Sequence, residues 1–240
     1  MANYLILINN APKMAQYHKG LGDILELQGH QVFYAISDPI AIKNVWDSFV
    51  TKRNFIFSDF FKANEKTSDV PQQYSQINLW KTFFSDYDRN IFHYKLKSYD
   101  NVYYNNLISN LVCFFDEIIV NNKIDYLIYE NISNSFSYVA YEVGKINNVE
   151  YRGYVGSRLP NRFELHTEEF GIRNRFKSAF ESFDIASLDN ETNTYIDAYL
   201  AKYHGNEIPS YHSKDNKLSS DYSLIKRYIN KEKYQQLSTA

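Results

Sequence analysis

Apolar residues first gather in a short uncharged run over residues 4–8, bounded by Asn9 and Asn10, the pattern of a strand covered on both faces of a parallel sheet. The period then becomes helical. Met14, Tyr17, Leu21, Ile24, Leu25 and Gln28 fall near one face, Gly29 stands where a left-handed cap belongs, and residues 31–36 return to a β-rich run. A second helix is predicted over residues 39–49, with Pro39 in its first turn and Asp38 as its cap, followed by a short strand at 55–57. Between Val70 and Asn122 there is no glycine and no proline beyond Pro71, which predicts two long helices broken near residues 98–101. The second carries the stripe Leu107, Ile108, Leu111, Val112, Phe115, Ile118 and Ile119. Residues 125–129 read as a buried strand, Ser133 as the cap of a helix bearing Phe136, Val139, Ala140, Val143 and Ile146, and residues 149–154 as the next strand. Further on, Tyr195, Ile196, Tyr199, Leu200 and Tyr203 mark an amphipathic helix, 205–220 a polar loop and 221–236 a more polar helix.

This alternation predicts an α/β fold: a Rossmann-like, mainly parallel sheet with helices on both faces, plus carboxyl-terminal helices. The expected division is a Rossmann-like domain over residues 1–170 and a helical extension with polar linker over 171–240. In such sheets ligands bind beyond the carboxyl ends of the strands, near the point where strand order reverses. The loops after the strands are therefore where chemistry is sought.

Composition narrows the classes. With 240 residues, 44% of them hydrophobic, the chain can build a sizeable core. The 26 basic and 28 acidic residues nearly cancel, so no global attraction to nucleic acid is expected. Cys113 is the single cysteine, which excludes an intramolecular disulfide and fits a reducing compartment. The amino terminus lacks a basic segment, and its apolar run is too short for a signal peptide or membrane span. A cytoplasmic protein without a transmembrane segment is expected, with peripheral membrane association left open. Aromatics reach 17%, dominated by tyrosine, whose polar tip suits the rim of a cleft for polyhydroxylated ligands; a codon bias toward Tyr, Asn, Lys and Ile explains the same figure.

Three loops carry candidate chemistry. The first offers Asn10 and Lys13, with His18 further along the helix; another offers Glu130 and Asn131; the third runs through Arg158 and Arg162 toward His166. Glu130 ends an apolar strand, where partial burial would raise its pKa and suit it to accept a proton from an attacking hydroxyl. An acid just ahead of a helix is explained equally by the helix dipole. His18 is the second candidate base, with a core-edge or solvated histidine as its plainer reading. Arg158 and Arg162 bracket Pro160 and could clamp a phosphate or carboxylate, or pair with Glu164, Glu168 or Glu169. Phosphate-loop, dinucleotide-loop, nucleophile-elbow and Asp-x-Asp signatures are all missing, as is any Cys/His cluster, so no cofactor and no metal are expected.

The opening strand, the element Gly29-His30-Gln31-Val32 and the later Tyr129-Glu130-Asn131 together resemble the amino-terminal half of a GT-B glycosyltransferase, more specifically the capsule polysaccharide biosynthesis group. The resemblance covers about residues 1–170. It implies a metal-independent transferase of bacterial surface polysaccharide synthesis, in which this half recognises a glycan acceptor. It also implies that Glu130 faces the cleft and that a second, carboxyl-terminal half holds the nucleotide-sugar donor. After Tyr154 too few residues remain for that second sheet, so the chain is read either as a fragment or as one half of the architecture standing alone. The alternative reading is a noncatalytic saccharide- or protein-binding module of a polysaccharide assembly system.

Overall fold

A computed structural model describes residues 1–9, 12–43, 45–64, 70–79, 81, 101–156, 163–167, 172–184 and 187–204 of the chain. The chain divides into two compact units, Met1–Arg173 and Asn174–Ala240. The first holds a six-stranded sheet, β1 (Asn3–Ile8), β2 (Gln31–Ile36), β3 (Arg53–Ile56), β4 (Tyr126–Tyr129), β5 (Glu150–Gly156) and β6 (Phe163–His166). Their spatial order is β3-β2-β1-β4-β5-β6. All pairings are parallel except that of β6 with β5. This is the mainly parallel, Rossmann-like α/β sheet that the alternation of periods predicts.

Strand residues alternate between two cores. Leu5, Leu7, Phe33, Ala35, Leu127 and Tyr151 point to one face and pack with α2 (Phe57–Ala63), α3 (Asn101–Asn121) and α4 (Ser135–Ile146). Ile6, Ile8, Val32, Tyr34, Ile36 and Ile128 point to the other, where α1 (Pro12–Leu27) lies. Both faces are covered, which is why β1 and β2 read as continuous apolar runs rather than alternating ones. Each fully buried aliphatic side chain contributes about 2 kcal/mol of burial free energy. In α3, Ile108, Leu111, Val112, Phe115, Ile118 and Ile119 of the expected stripe are buried. Gly29 adopts φ +84°, the left-handed cap that closes α1 before β2.

Several expectations are corrected. Residues 39–49 form two 3₁₀ turns, Pro39–Ile42 and Trp46–Ser48, although Asp38 does cap the first by accepting from Ile40 N at 2.8 Å. So short a segment, with β-branched Val45 and aromatic Trp46 inside it, gains little as an α-helix, and anchoring Ile42 and Phe49 in the core decides its path. Phe57 opens α2 instead of closing β3. Residues 72–74 form a 3₁₀ turn and residues 75–79 turn or irregular backbone where the first long helix was expected, and residues 82–100 lie outside the described residues. Asn134, not Ser133, caps α4. On α1, Tyr17 and Ile24 are exposed while Ala15 and His18 are buried, so the inner face is rotated from the most apolar one.

In the second unit, α6 (Asn190–His204) begins where Asp189 Oδ1 accepts from Thr192 N at 2.6 Å. Of its expected stripe Tyr195 and Tyr199 are partly buried, whereas Ile196 and Leu200 are exposed. Preceding it, α5 (Ile172–Glu181) spans the boundary between the units. The loop and helix expected over 205–236 lie outside the described residues. Among the described residues no helix is long and apolar enough to cross a membrane.

Candidate functional site

Strand order reverses between β1 and β4, so the chain leaves their carboxyl ends toward opposite halves of the sheet, the switch point at which ligands bind in sheets of this kind. Asn9 follows β1 and Glu130 follows β4. Tyr129, the last residue of β4, ties these loops together. Its hydroxyl takes side-chain hydrogen bonds from Asn9 and from Asn134, the latter with Nδ2 at 3.4 Å, and also meets the Glu130 carboxylate. Asn134 Oδ1 meanwhile accepts from Ser137 N at 2.9 Å, capping α4. Asn9 Oδ1 accepts from Ser37 Oγ at 3.0 Å, which brings in the loop after β2. Amides, hydroxyls and one carboxylate therefore converge at the switch point.

Burial pushes the Glu130 carboxyl up from its ordinary value, opposed in part by the hydrogen bond from Tyr129. The backbone of Glu130 is held from β5, where the Tyr151 hydroxyl donates to its carbonyl oxygen. A half-buried carboxylate of raised basicity, fixed by its own backbone, is suited to accept a proton from a hydroxyl nucleophile. The surrounding phenols of Tyr129, Tyr151 and Tyr154 are all pushed up, first by burial and then in part by the Glu130 charge, so they remain neutral hydrogen-bonding groups.

His18 packs against two of the same tyrosines. Only 2% exposed, it is hydrogen-bonded through Nε2 to the Tyr154 hydroxyl and stacks on Tyr129 with ring centroids 6.2 Å apart. Burial pushes its imidazole down to about 4, so it is neutral at physiological pH. Beside it the half-exposed Tyr17 ring tilts against Tyr154 at 5.2 Å. His18 is thus a buried support, with its Nε2 engaged within the protein.

The structure places the other sequence candidates unevenly. Asn131 is exposed next to Glu130. Lys13 lies in the first turn of α1, and Asn10, Arg158 and Arg162 lie outside the described residues. His166 is not in a loop: it ends β6 and is buried against Gly153 and Tyr151. Asn9, Tyr129, Asn134, Tyr151 and Tyr154 were not singled out as site residues in the sequence, though a tyrosine ending one strand and a polar residue just after another are a legible signal. Among the described residues no group of three or more His, Cys, Asp or Glu side chains is placed to hold a metal ion.

No family model and no curated protein matches the chain. Among solved structures, a UDP-N-acetylglucosamine 2-epimerase is similar at a TM-score of 0.34 and 11% identity, over 63% of this chain and 32% of that one. The Leishmania major tyrosyl-tRNA synthetase, in complex with tyrosinol, is similar at 0.35 and 9% identity, over 66% of this chain and 26% of that one. The chain thus matches a third or less of the length of either protein. Likeness at this level carries no argument, and the class is defined by the strand order: a Rossmann-like α/β domain with polar side chains gathered at its switch point.

Proposed function

We propose that the chain acts in bacterial surface or capsular polysaccharide synthesis as a GT-B type glycosyltransferase, or as its acceptor-binding amino-terminal half. In this reading the switch point between β1 and β4 receives a glycan hydroxyl, and Glu130 accepts its proton as the hydroxyl attacks the anomeric carbon of a nucleotide sugar, whose bond to the nucleoside diphosphate breaks so that the diphosphate leaves. The donor is held by a second, carboxyl-terminal half, and no metal is required of the residues here. Asn10 and Asn131 are the acceptor's hydrogen-bonding partners. Lys13, Arg158 and Arg162 are assigned to anionic groups of the ligands.

The observation that carries the reading is Glu130 itself, a carboxylate ending a buried strand at the switch point, with its basicity raised by burial and its backbone tethered. The resemblance of Gly29-His30-Gln31-Val32 and Tyr129-Glu130-Asn131 to capsule-type transferases supplies the substrate class. A panel of nucleotide sugars and oligosaccharide acceptors, assayed with the full-length protein, tests it. Glu130→Gln should retain acceptor binding and lose turnover by roughly a hundredfold or more, the scale of general base catalysis. Near-normal turnover by that variant removes Glu130 from the mechanism. Glycan binding with no transfer from any donor assigns the chain to the noncatalytic binding class instead.

A further inference from the structure

A second buried histidine stands behind Glu130 in a place shaped for it. His166 on β6 pairs across the antiparallel ladder with Gly153 on β5, and a Cβ at Gly153 would stand 2.6 Å from the imidazole Cδ2, closer than real contacts allow. The ring is 5% exposed and lies edge-on to Tyr151, with centroids 5.5 Å apart. Its Nε2 is 3.5 Å from the Tyr151 hydroxyl, the same hydroxyl that donates to the carbonyl oxygen of Glu130. A phenol has one proton to give. With that proton on the carbonyl, the hydroxyl can only accept from the imidazole, so Nε2 carries the hydrogen and Nδ1 the lone pair. Among the described residues the buried Nδ1 has no hydrogen-bond partner, which is a cost to burying the ring. A phenylalanine would fill the same volume without that cost, so what the imidazole adds at this position is its Nε2 donor.

We propose that His166 is a positioning residue for the candidate site: its Nε2–H orients the Tyr151 hydroxyl, which grips the Glu130 carbonyl and fixes the turn that presents the Glu130 carboxylate. The assignment to a functional site rests on the reading of Glu130 given above; the relay itself does not. Gly153 is its third part, since any side chain there would displace the imidazole.

Titration of the Glu130 carboxyl by carbon-detected NMR in the full-length protein tests the relay without a substrate. In Tyr151→Phe and His166→Leu the turn loosens, water reaches the carboxylate, and the titration midpoint should move down toward the ordinary carboxyl range. His166→Gln, whose side-chain amide offers a donor near the place of Nε2, should restore it. A wild-type midpoint in His166→Leu, or an equal displacement in His166→Gln, overturns the proposal. Should His166→Leu fail to fold, Tyr151→Phe against His166→Gln decides: the relay requires a displaced midpoint in the first and a near-native one in the second. Turnover separates this from the base assignment. If Glu130 is the base, His166→Leu should lower kcat roughly tenfold or more with KM unchanged, as misplacement of a reacting group does. A displaced midpoint with unchanged kcat keeps the relay and removes Glu130 as base.

Discussion

Asn134 serves two neighbours with the two ends of one amide: its oxygen caps α4 and its nitrogen reaches the Tyr129 hydroxyl at the end of β4. Asn134→Ala should therefore cost about 1 kcal/mol of stability through the lost cap, measured by urea unfolding. Asn134→Asp, which keeps the accepting oxygen, should recover most of that loss; equal destabilisation by both variants would show that the cap is not what Asn134 contributes. At this scale the sequence is legible only in part. Glu130 stands out as a carboxylate at the end of an apolar run, although the dipole of the helix that follows explains an acid there equally well. Asn134 and Tyr151 do not, because their partners are fixed by a helix cap and by pairing between strands distant in sequence. His18 was visible as a residue but not as a buried one, since burial depends on which side of α1 meets the sheet.

That side is set by packing between elements. The apolar period of α1 favours a face containing Tyr17 and Ile24, yet the helix turns Ala15, His18 and Gly22 inward. Gly22 permits the close approach, because a Cβ there would lie 2.9 Å from Tyr34 Cζ and overlap the phenol oxygen on β2. The Tyr34 hydroxyl is itself buried, with no hydrogen-bond partner among the described residues. Two consequences can be measured together. Gly22→Ala should cost about 1–3 kcal/mol by overpacking, whereas Tyr34→Phe, which removes a buried unsatisfied hydroxyl, should stabilise by about 1 kcal/mol. In the double variant much of the alanine's cost should disappear; strictly additive effects would mean that the two residues do not meet. The same logic explains why strands were easier to read than helices. β1, β2 and β4 are apolar apart from Asn3 and Gln31 at their starts and need no knowledge of their neighbours, while the turns over residues 39–49 and the edge strand β6 take their form from where Ile42, Phe49 and His166 find space.

Across the whole molecule, alternating periods were enough to predict the sheet and the strand ends where a site should lie, because parallel sheets leave few other arrangements for such units. Charge burial is a property of the folded whole and gives a prediction of its own. Burial pushes His18 from 6.5 to about 4, so between those values the unfolded chain binds a proton that the folded chain refuses. Its contribution to stability is therefore complete above the unfolded value and is lost as the pH falls through that window, by up to about 3 kcal/mol. Burial lowers His166 as well, adding to the same acid limb, although Glu164 opposes the shift. Glu130 acts in the other direction: its carboxyl is raised, the folded chain holds that proton more tightly, and stability is lost as the pH rises through the raised value. The histidines titrate at higher pH in the unfolded chain than a carboxyl does, so acidification from neutrality should first destabilise the protein. Denaturant unfolding at a series of pH values should show this slope, and His18→Phe should flatten it even if the variant is offset in absolute stability. An unchanged slope in His18→Phe would mean that His18 is already able to take up a proton in the folded chain, and with that it would return as a candidate base beside Glu130.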